Sequence, residues 1–231
     1  MADDRTPEEV RARHVETMGE ALGLTFDALY QDIVWLHARW AEFRKLFGKS
    51  PERIAILNES APYFFHLIQD TLFEDVVLHI ARVTDSERSC GRDNLTLQRL
   101  PRLVEDAALR TEVDVLLAVA LDASAFARAW RNRRLAHRDL VHAIEPDGEP
   151  LAGISRAMIE ESLAAIRALM NKLELHYLDA TTAYDFFLVG PGDADSLVRL
   201  LHRACVDERA RRDRIRSRTA SREDFDHLEE V

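Results

Sequence analysis

Residues 116–137, LLAVALDASAFARAWRNRRLAH, decide how this chain is expected to fold and where its chemistry is expected to lie. Apolar residues recur there every three or four positions, at Leu116, Ala120, Ala123, Ala127 and Trp130. That period is typical of a helix with one face buried against other helices. The same rhythm continues to Arg134 and His137, so the buried face is predicted to become cationic at the end of the helix.

The composition of the whole chain favours helices. Charged residues make up 31% of the 231 residues, and there are only 8 Gly and 7 Pro. Ala, Leu, Glu and Arg are good helix formers, and runs with the period-two alternation of strands are nearly absent. We predict an all-α protein with a single domain over residues 1–212 and a charged C-terminal tail over residues 213–231, frayed from Thr219.

Start and stop signals divide the chain into predicted helices. Thr6, Pro7 and Glu9 form a capping box that starts a helix over residues 6–22, expected at the periphery of the domain. The remaining helices are predicted at residues 25–47, from 51, from 62, 106–140, 155–178 and 193–212. Residues 84–94, TDSERSCGRDN, are predicted to be a polar loop, and the helical piece that follows is predicted to be interrupted at Pro101.

Several classes of protein are disfavoured. No segment has eighteen consecutive apolar residues, so no membrane span is expected. The acidic start, MADDRTPEEV, is unlike a signal peptide and predicts a cytoplasmic protein. Cys90 and Cys205 lie far apart in sequence and predict neither a disulfide framework nor a zinc site.

Metal binding is also weighed at one helical stripe. His66, Asp70 and Glu74 share the spacing i, i+4, i+8, which could present metal ligands on one face. A solvated face, or an acidic partner for arginines elsewhere, is the preferred interpretation, and we predict no metal and no cofactor.

Positive charge is concentrated in two islands of a chain whose net charge is −10. Residues 128–138 contain five Arg and no acidic residue, and residues 199–222 contain nine Arg against three acidic residues. Local potential steers an anion into a cleft more than net charge does. The second island is open to two interpretations, an arm that contacts RNA or a protein partner, and a plain exposed helix.

Arginine at a packed face needs an anionic partner, because a buried unpaired charge is costly. The partner is either a carboxylate of a neighbouring helix or an anionic ligand. Guanidinium groups bind phosphate bidentately, and a neutral histidine beside them could deprotonate a hydroxyl. Both partners stay open on the residues alone.

The stretch RNRRLAH, with a polar residue directly after Arg131, resembles the Arg-x(4–6)-His signature of the HEPN superfamily. Upstream, APYFFHLIQDTLFEDVVLHIARVTD at residues 61–85 and NLTLQRL at residues 94–100 resemble AbiU-type HEPN-like proteins linked to abortive infection. The resemblance implies a HEPN-like antiparallel helical bundle with additional flanking helices, which assembles as a homodimer.

The resemblance also implies a function. It suggests a metal-independent endoribonuclease of an abortive-infection or toxin–antitoxin defence system, in which the RNA 2′-hydroxyl attacks the adjacent phosphate. Carried over by position, His137 would be the acid/base, Arg131 would stabilise the developing charge and Asn132 would orient the phosphate or the histidine. Backbone phosphates would be bound by Arg128, Arg133 and Arg134.

Helix geometry predicts how these residues would meet. Six positions separate Arg131 from His137, which is about 9 Å of rise and about 120° of turn on a straight helix. A two-fold axis near the motif would bring Arg131 of one subunit towards His137 of the other. The alternatives are a non-catalytic HEPN-like module that binds RNA or protein, and a structural helical protein whose arginines are neutralised internally.

Overall fold

The computed structural model describes residues 6–89, 91–132, 153–186 and 192–225. It confirms the all-α prediction. The helices in this part of the chain are α1 (Pro7–Met18), α2 (Glu20–Phe47), α3 (Pro51–Ser60), α4 (Pro62–Val83), α5 (Leu100–Leu103), α6 (Ala107–Ala123), α7 (Ala125–Trp130), α8 (Arg156–Leu178) and α9 (Ala194–Arg216). A short antiparallel hairpin, β1 (Arg88–Ser89) and β2 (Arg92–Asp93), follows α4.

Side-chain caps begin the helices where the sequence predicts them. The Thr6 hydroxyl accepts a hydrogen bond from the amide of Glu9 at 3.2 Å, and the amide of Thr6 donates to the Glu9 carboxylate at 2.7 Å. Ser50 and Ser155 cap α3 and α8 in the same way. Each cap satisfies an amide that the first helical turn leaves without a partner, so these starts are set locally.

The boundary between the first two helices differs from the prediction. The chain turns at Gly19, whose φ is +82°, and α2 begins directly after it, so the predicted break at residues 22–25 is wrong. Gly23 lies inside α2, where a Cβ atom would stand 2.6 Å from both the carbonyl oxygen of His14 and the Cα of Val15. Gly23 therefore allows α1 to approach α2 closely and does not end a helix.

The predicted helix over residues 106–140 is interrupted within its described part. The chain leaves the helical ladder at Ser124, between α6 and α7, and the hydroxyl of Ser162 on α8 donates to the carbonyl of Ala123 at 2.5 Å. Ala120 and Ala127 on the predicted stripe are fully buried. Its continuation to Arg134 and His137 lies outside the described residues, as does the predicted end of the helix near residue 140.

The segment after α4 is more ordered than a polar loop. Besides the β1–β2 hairpin, a 3₁₀ turn at Leu97–Arg99 leads into α5, and Pro101 sits in the first turn of that helix. Proline is tolerated there because the amide it lacks would have no helical partner. Pro101 therefore helps to start a helix, and the predicted interruption is wrong.

The chain forms two compact units, each with its own apolar core. The first comprises Met1–Trp40 and Phe73–Phe187. Its core includes Phe26 of α2, Val113 of α6 and Met170 of α8, and α6 packs against α8. The second comprises Ala41–Leu72 and Leu188–Val231, with Leu57 and Val198 in its core. The single domain over residues 1–212 stays a prediction.

The C-terminal segment is held in place as far as residue 225. Helix α9 continues to Arg216, beyond the predicted end at residue 212. Asp224 is buried, and its carboxylate pairs with Arg214 at 2.5 Å. The expected fraying from Thr219 stays a prediction. Within them, no helix is long and apolar enough to cross a membrane.

Replacing Gly23 by alanine is expected to destabilise the protein. Alanine favours a helix by up to about 1 kcal/mol over glycine, but forcing a methyl group into a closed contact costs about 1–3 kcal/mol. Because the contact at Gly23 is with backbone atoms, we expect a net loss in the free energy of unfolding, measured by urea denaturation.

Gly153 provides the control, since a Cβ atom at that position meets nothing within 4 Å. Gly153→Ala should change the free energy of unfolding by less than about 0.5 kcal/mol. A Gly23→Ala protein as stable as the wild type would show that α1 does not pack against α2 at this glycine.

Candidate functional site

Three of the six predicted site residues lie in the described part of the chain. Arg128 is on the last turn of α7, and Arg131 and Asn132 follow in a wider, π-type helical turn. Such turns occur often at functional sites, because they re-aim the side chains that follow. His137, Arg133 and Arg134 lie outside the described residues.

Arg128 is tied into the protein. Its Nη1 donates to the Thr84 hydroxyl at 3.1 Å, and its Nη2 donates to the carbonyl oxygen of Leu121 at 2.6 Å. Burial lowers the pKa of the Arg128 guanidinium, the charge of Asp85 acts in the opposite direction, and Arg131 lowers the pKa further. Both ends of its guanidinium are thus committed to α6 and to the end of α4.

Among the described residues, Arg131 has a carboxylate partner and one guanidinium nitrogen without a hydrogen bond. Its Nη1 lies 2.5 Å from Oδ2 of Asp85, and its Nε donates to the side-chain oxygen of Asn132 at 3.1 Å. Asp85 and Arg131 each expose 24% of their side chains. Within the described part of the chain, Nη2 of Arg131 has no partner. These contacts orient the guanidinium while leaving one nitrogen to meet a ligand.

The turn that carries Asp85 is itself held by hydrogen bonds from the 3₁₀ turn after the hairpin. The hydroxyl of Thr96 donates to the carbonyls of Val83 at 3.0 Å and Asp85 at 2.6 Å. The side-chain Nε2 of Gln98 donates to the carbonyl of Thr84 at 3.2 Å. Thr84 and Asp85 are thereby presented together, one to Arg128 and the other to Arg131.

A pocket of about 520 Å³ opens beside Arg131 in the first unit. Its volume is within the range of small-molecule sites, about 300–1,000 Å³. Its charged lining consists of Asp32, Asp75, Asp85, Asp93, Arg82 and Arg131. Leu78 and Leu95 supply apolar surface, and Asn94 supplies an amide. Each carboxylate has an arginine partner, so the charges of the lining are largely balanced and its carboxylate oxygens serve as hydrogen-bond acceptors.

His79 is buried in the wall of this pocket between two arginines. Its Nδ1 lies 2.8 Å from Nη1 of Arg39, and its Nε2 lies 2.9 Å from Nη2 of Arg82. The arginines in turn pair with Asp75 and Asp32. Burial and then the charge of Arg82 lower the pKa of His79 to about 4, with Arg39 adding to them and the aspartates opposing. The imidazole is therefore neutral at pH 7.

A neutral imidazole has one acceptor nitrogen, so His79 can accept from only one of its two arginines at a time. The other ring nitrogen then carries a hydrogen and faces a guanidinium nitrogen. His79 therefore holds one of the two arginines by a hydrogen bond and adds no third positive charge beside them.

Asp85 and His79 are the partners that sequence reasoning did not assign. Thr84–Asp85 and Thr96 belong to the segments that resemble AbiU-type proteins, so that resemblance was the available signal for Asp85. Nothing in the sequence pattern indicated a role for His79. Its polar ring lies on the apolar face of α4 and is buried.

The stripe weighed for metal binding does not form a ligand set. His66 and Asp70 are exposed, with Nε2 and Oδ2 3.7 Å apart. Among the described residues, no group of three or more His, Cys, Asp and Glu is arranged to hold a metal ion. The pair is an exposed i, i+4 contact on α4.

Comparison with protein families gives one match, to AbiU2, a HEPN family, over residues 19–193. The match covers more than half of the chain. It includes Arg131, Asp85 and the 3₁₀ turn at Thr96 that holds the backbone of Asp85. The chain belongs to the AbiU2 family. It is thus an abortive-infection HEPN-type protein with an all-α, HEPN-like fold. No curated protein and no solved structure matches it.

Two of the buried histidines of this AbiU2-family protein predict an acid-sensitive stability. In the folded protein the pKa values of His79 and His37 are each lowered from 6.5 to about 4, for His37 by burial and then by Arg167. The unfolded chain therefore binds more protons between these values. The stabilising effect of each neutral imidazole is present above pH 6.5 and is lost as the pH falls towards 4, by up to about 1.4 kcal/mol per pH unit.

We expect His79→Gln to have a flatter dependence of unfolding free energy on pH than the wild type between pH 6.5 and 4. His37→Gln is the matched variant, and the double variant should be the flattest of the three. Urea denaturation at a series of pH values measures the slopes. Parallel curves for the wild type and His79→Gln would contradict the neutral state of His79.

Proposed function

We propose that this AbiU2-family protein is a metal-independent endoribonuclease of an abortive-infection or toxin–antitoxin defence system. The RNA 2′-hydroxyl attacks the adjacent phosphate and yields a 2′,3′-cyclic phosphate and a 5′-hydroxyl. His137 acts as acid/base, Arg131 stabilises the charge on the phosphate and Asn132 orients it. Arg128, Arg133 and Arg134 belong to the RNA-binding surface, and an antitoxin protein is a further partner.

The observation that carries this proposal is the geometry of Arg131 at the edge of the 520 Å³ pocket. Asp85 and Asn132 orient the guanidinium, which is only 24% exposed, and its Nη2 is left for a ligand among the described residues. A preorganised cation in a partly buried place stabilises developing negative charge better than a mobile surface arginine does.

The carboxylates around the pocket indicate which part of an RNA nucleotide would enter the pocket. Although each is paired with an arginine, their oxygens can accept hydrogen bonds from the amino and imino groups of a nucleobase. A base in the pocket would place its own phosphate at the rim, where Arg131 lies. The acceptors of the lining thus fit a nucleotide whose base enters the pocket.

A second candidate is a non-catalytic HEPN-like module that binds RNA or protein. The observation that favours it is the internal neutralisation of the motif, since Arg131 is paired with Asp85 and Arg128 is bound to Thr84 and Leu121. A phosphate at Arg131 must compete with a carboxylate 2.5 Å away. The same pair that orients the arginine also weakens its attraction for an anion.

Cleavage of labelled RNA in EDTA tests the first proposal. We expect products with cyclic phosphate ends, and a loss of about 10²–10⁴-fold in rate for His137→Ala, as is typical when a general acid/base is removed. His66→Ala is the matched control, because His66 is exposed and lies outside the motif. Binding of RNA without cleavage by the wild type would support the second candidate instead.

A composite dimeric site predicts complementation between two inactive variants. A heterodimer of Arg131→Ala and His137→Ala subunits, purified through two different affinity tags, contains one intact site and one site that lacks both residues. We expect about half of the wild-type cleavage rate. No activity in the heterodimer, or full activity in a wild-type monomer, would show that the site does not use two subunits.

A further inference from the structure

Helix α9 carries most of the second basic island and begins where the match to the AbiU2 family ends. Its arginines fall into two groups that the sequence does not distinguish. In the C-terminal part of the helix, the carboxylate partners are Glu59 for Arg209, Glu208 for Arg211 and Arg212, Asp213 for Arg216 and Asp224 for Arg214. That part of the island is neutralised locally.

The N-terminal part of α9 differs. Arg199 and Arg203 have no carboxylate within ion-pair distance in the part of the chain that the structure describes, and Arg199 donates only to the Ser196 hydroxyl at 2.8 Å. Their spacing of four residues places them on one face of the helix, with His202 beside them. Among the described residues, these two cations therefore have no counter-charge, in a chain whose net charge is −10.

These two arginines and His202 line a pocket of about 350 Å³ where α9 packs against α3. Ile56 and Val198 provide apolar surface in it, and Ser50 and Arg53 lie on its α3 side. Arg53 is already paired with Asp195 at 2.6 Å, and Glu52 is the one acidic residue of the lining. The pocket thus has a net positive charge beside an apolar wall.

We propose that this pocket binds a phosphate of a single-stranded RNA and its attached nucleoside. Arg199 and Arg203 bind the phosphate oxygens, since guanidinium groups match phosphate geometry. Ile56 and Val198 contact the sugar or base, and the pocket volume is that of a nucleotide-sized ligand. This inference rests on the proposed function only in taking RNA as the ligand.

Fluorescence anisotropy with a labelled 2′-O-methyl oligouridylate of about twelve nucleotides tests the pocket, because this probe cannot be cleaved by 2′-hydroxyl attack. In Arg199→Gln/Arg203→Gln the slope of log affinity against log salt should be shallower by about 1.4, or about 0.7 for each lost phosphate contact. Between 50 and 200 mM salt the wild-type affinity should therefore fall about sevenfold more than that of the variant.

Arg212→Gln/Arg216→Gln is the matched control, since it removes two exposed charges from the same helix whose partners are carboxylates. Its salt slope should equal that of the wild type. Equal changes of the salt slope in both double variants would overturn the inference. An Arg199→Gln/Arg203→Gln protein that binds the probe like the wild type would also overturn it. Equally tight competition by a polyglutamate peptide would also overturn it, because the site would then not select phosphate.

The binding test of the pocket and the cleavage test of the proposed nuclease can succeed or fail independently. Loss of binding in Arg199→Gln/Arg203→Gln in a protein that never cleaves RNA supports the pocket while the nuclease proposal fails. Cleavage in EDTA with unchanged binding by the variant supports the nuclease while the pocket fails. Circular dichroism of each variant shows whether the helices are retained.

Discussion

The hydrogen bonds from Thr96 to the carbonyls of Val83 and Asp85 are the constraint on which the candidate site depends. They close the end of α4 onto the 3₁₀ turn and fix the backbone of Asp85, whose carboxylate reaches Arg131. Arg131 lies 46 positions further along the chain. Without this turn the guanidinium would have no fixed orientation, and the pocket beside it would lose one wall.

The two pockets differ in the charged residues that line them. Many of the described arginines pair with a nearby carboxylate, and the two candidate sites are marked by guanidinium nitrogens that have no such partner among the described residues. Nη2 of Arg131 is one of them and lies beside a pocket lined by carboxylate oxygens, whereas Arg199 and Arg203 face a pocket with a net positive charge. The first arrangement suits a nucleobase with its phosphate at the rim, and the second suits a phosphate directly.

Much of the site could be anticipated, but not its partners. The Arg-x(4–6)-His signature pointed to Arg131 and the basic island to Arg128, and both lie where α7 ends. Asp85 and His79 went unassigned, because many acidic and polar residues could have met the arginines. The choice among them depends on which turn of the chain packs against α7, which spacing along a helix does not encode.

The sequence by itself determined the all-helical class and the helix starts at Thr6, Ser50 and Ser155, since a cap is a hydrogen bond between neighbours in the chain. Only the tertiary structure decided that the break falls at Gly19, that Gly23 serves a helix crossing, and that Ser124 interrupts the long helix. These features, like the pairing of Arg131 with Asp85, depend on atoms brought together by packing, and local propensity carries no information about them.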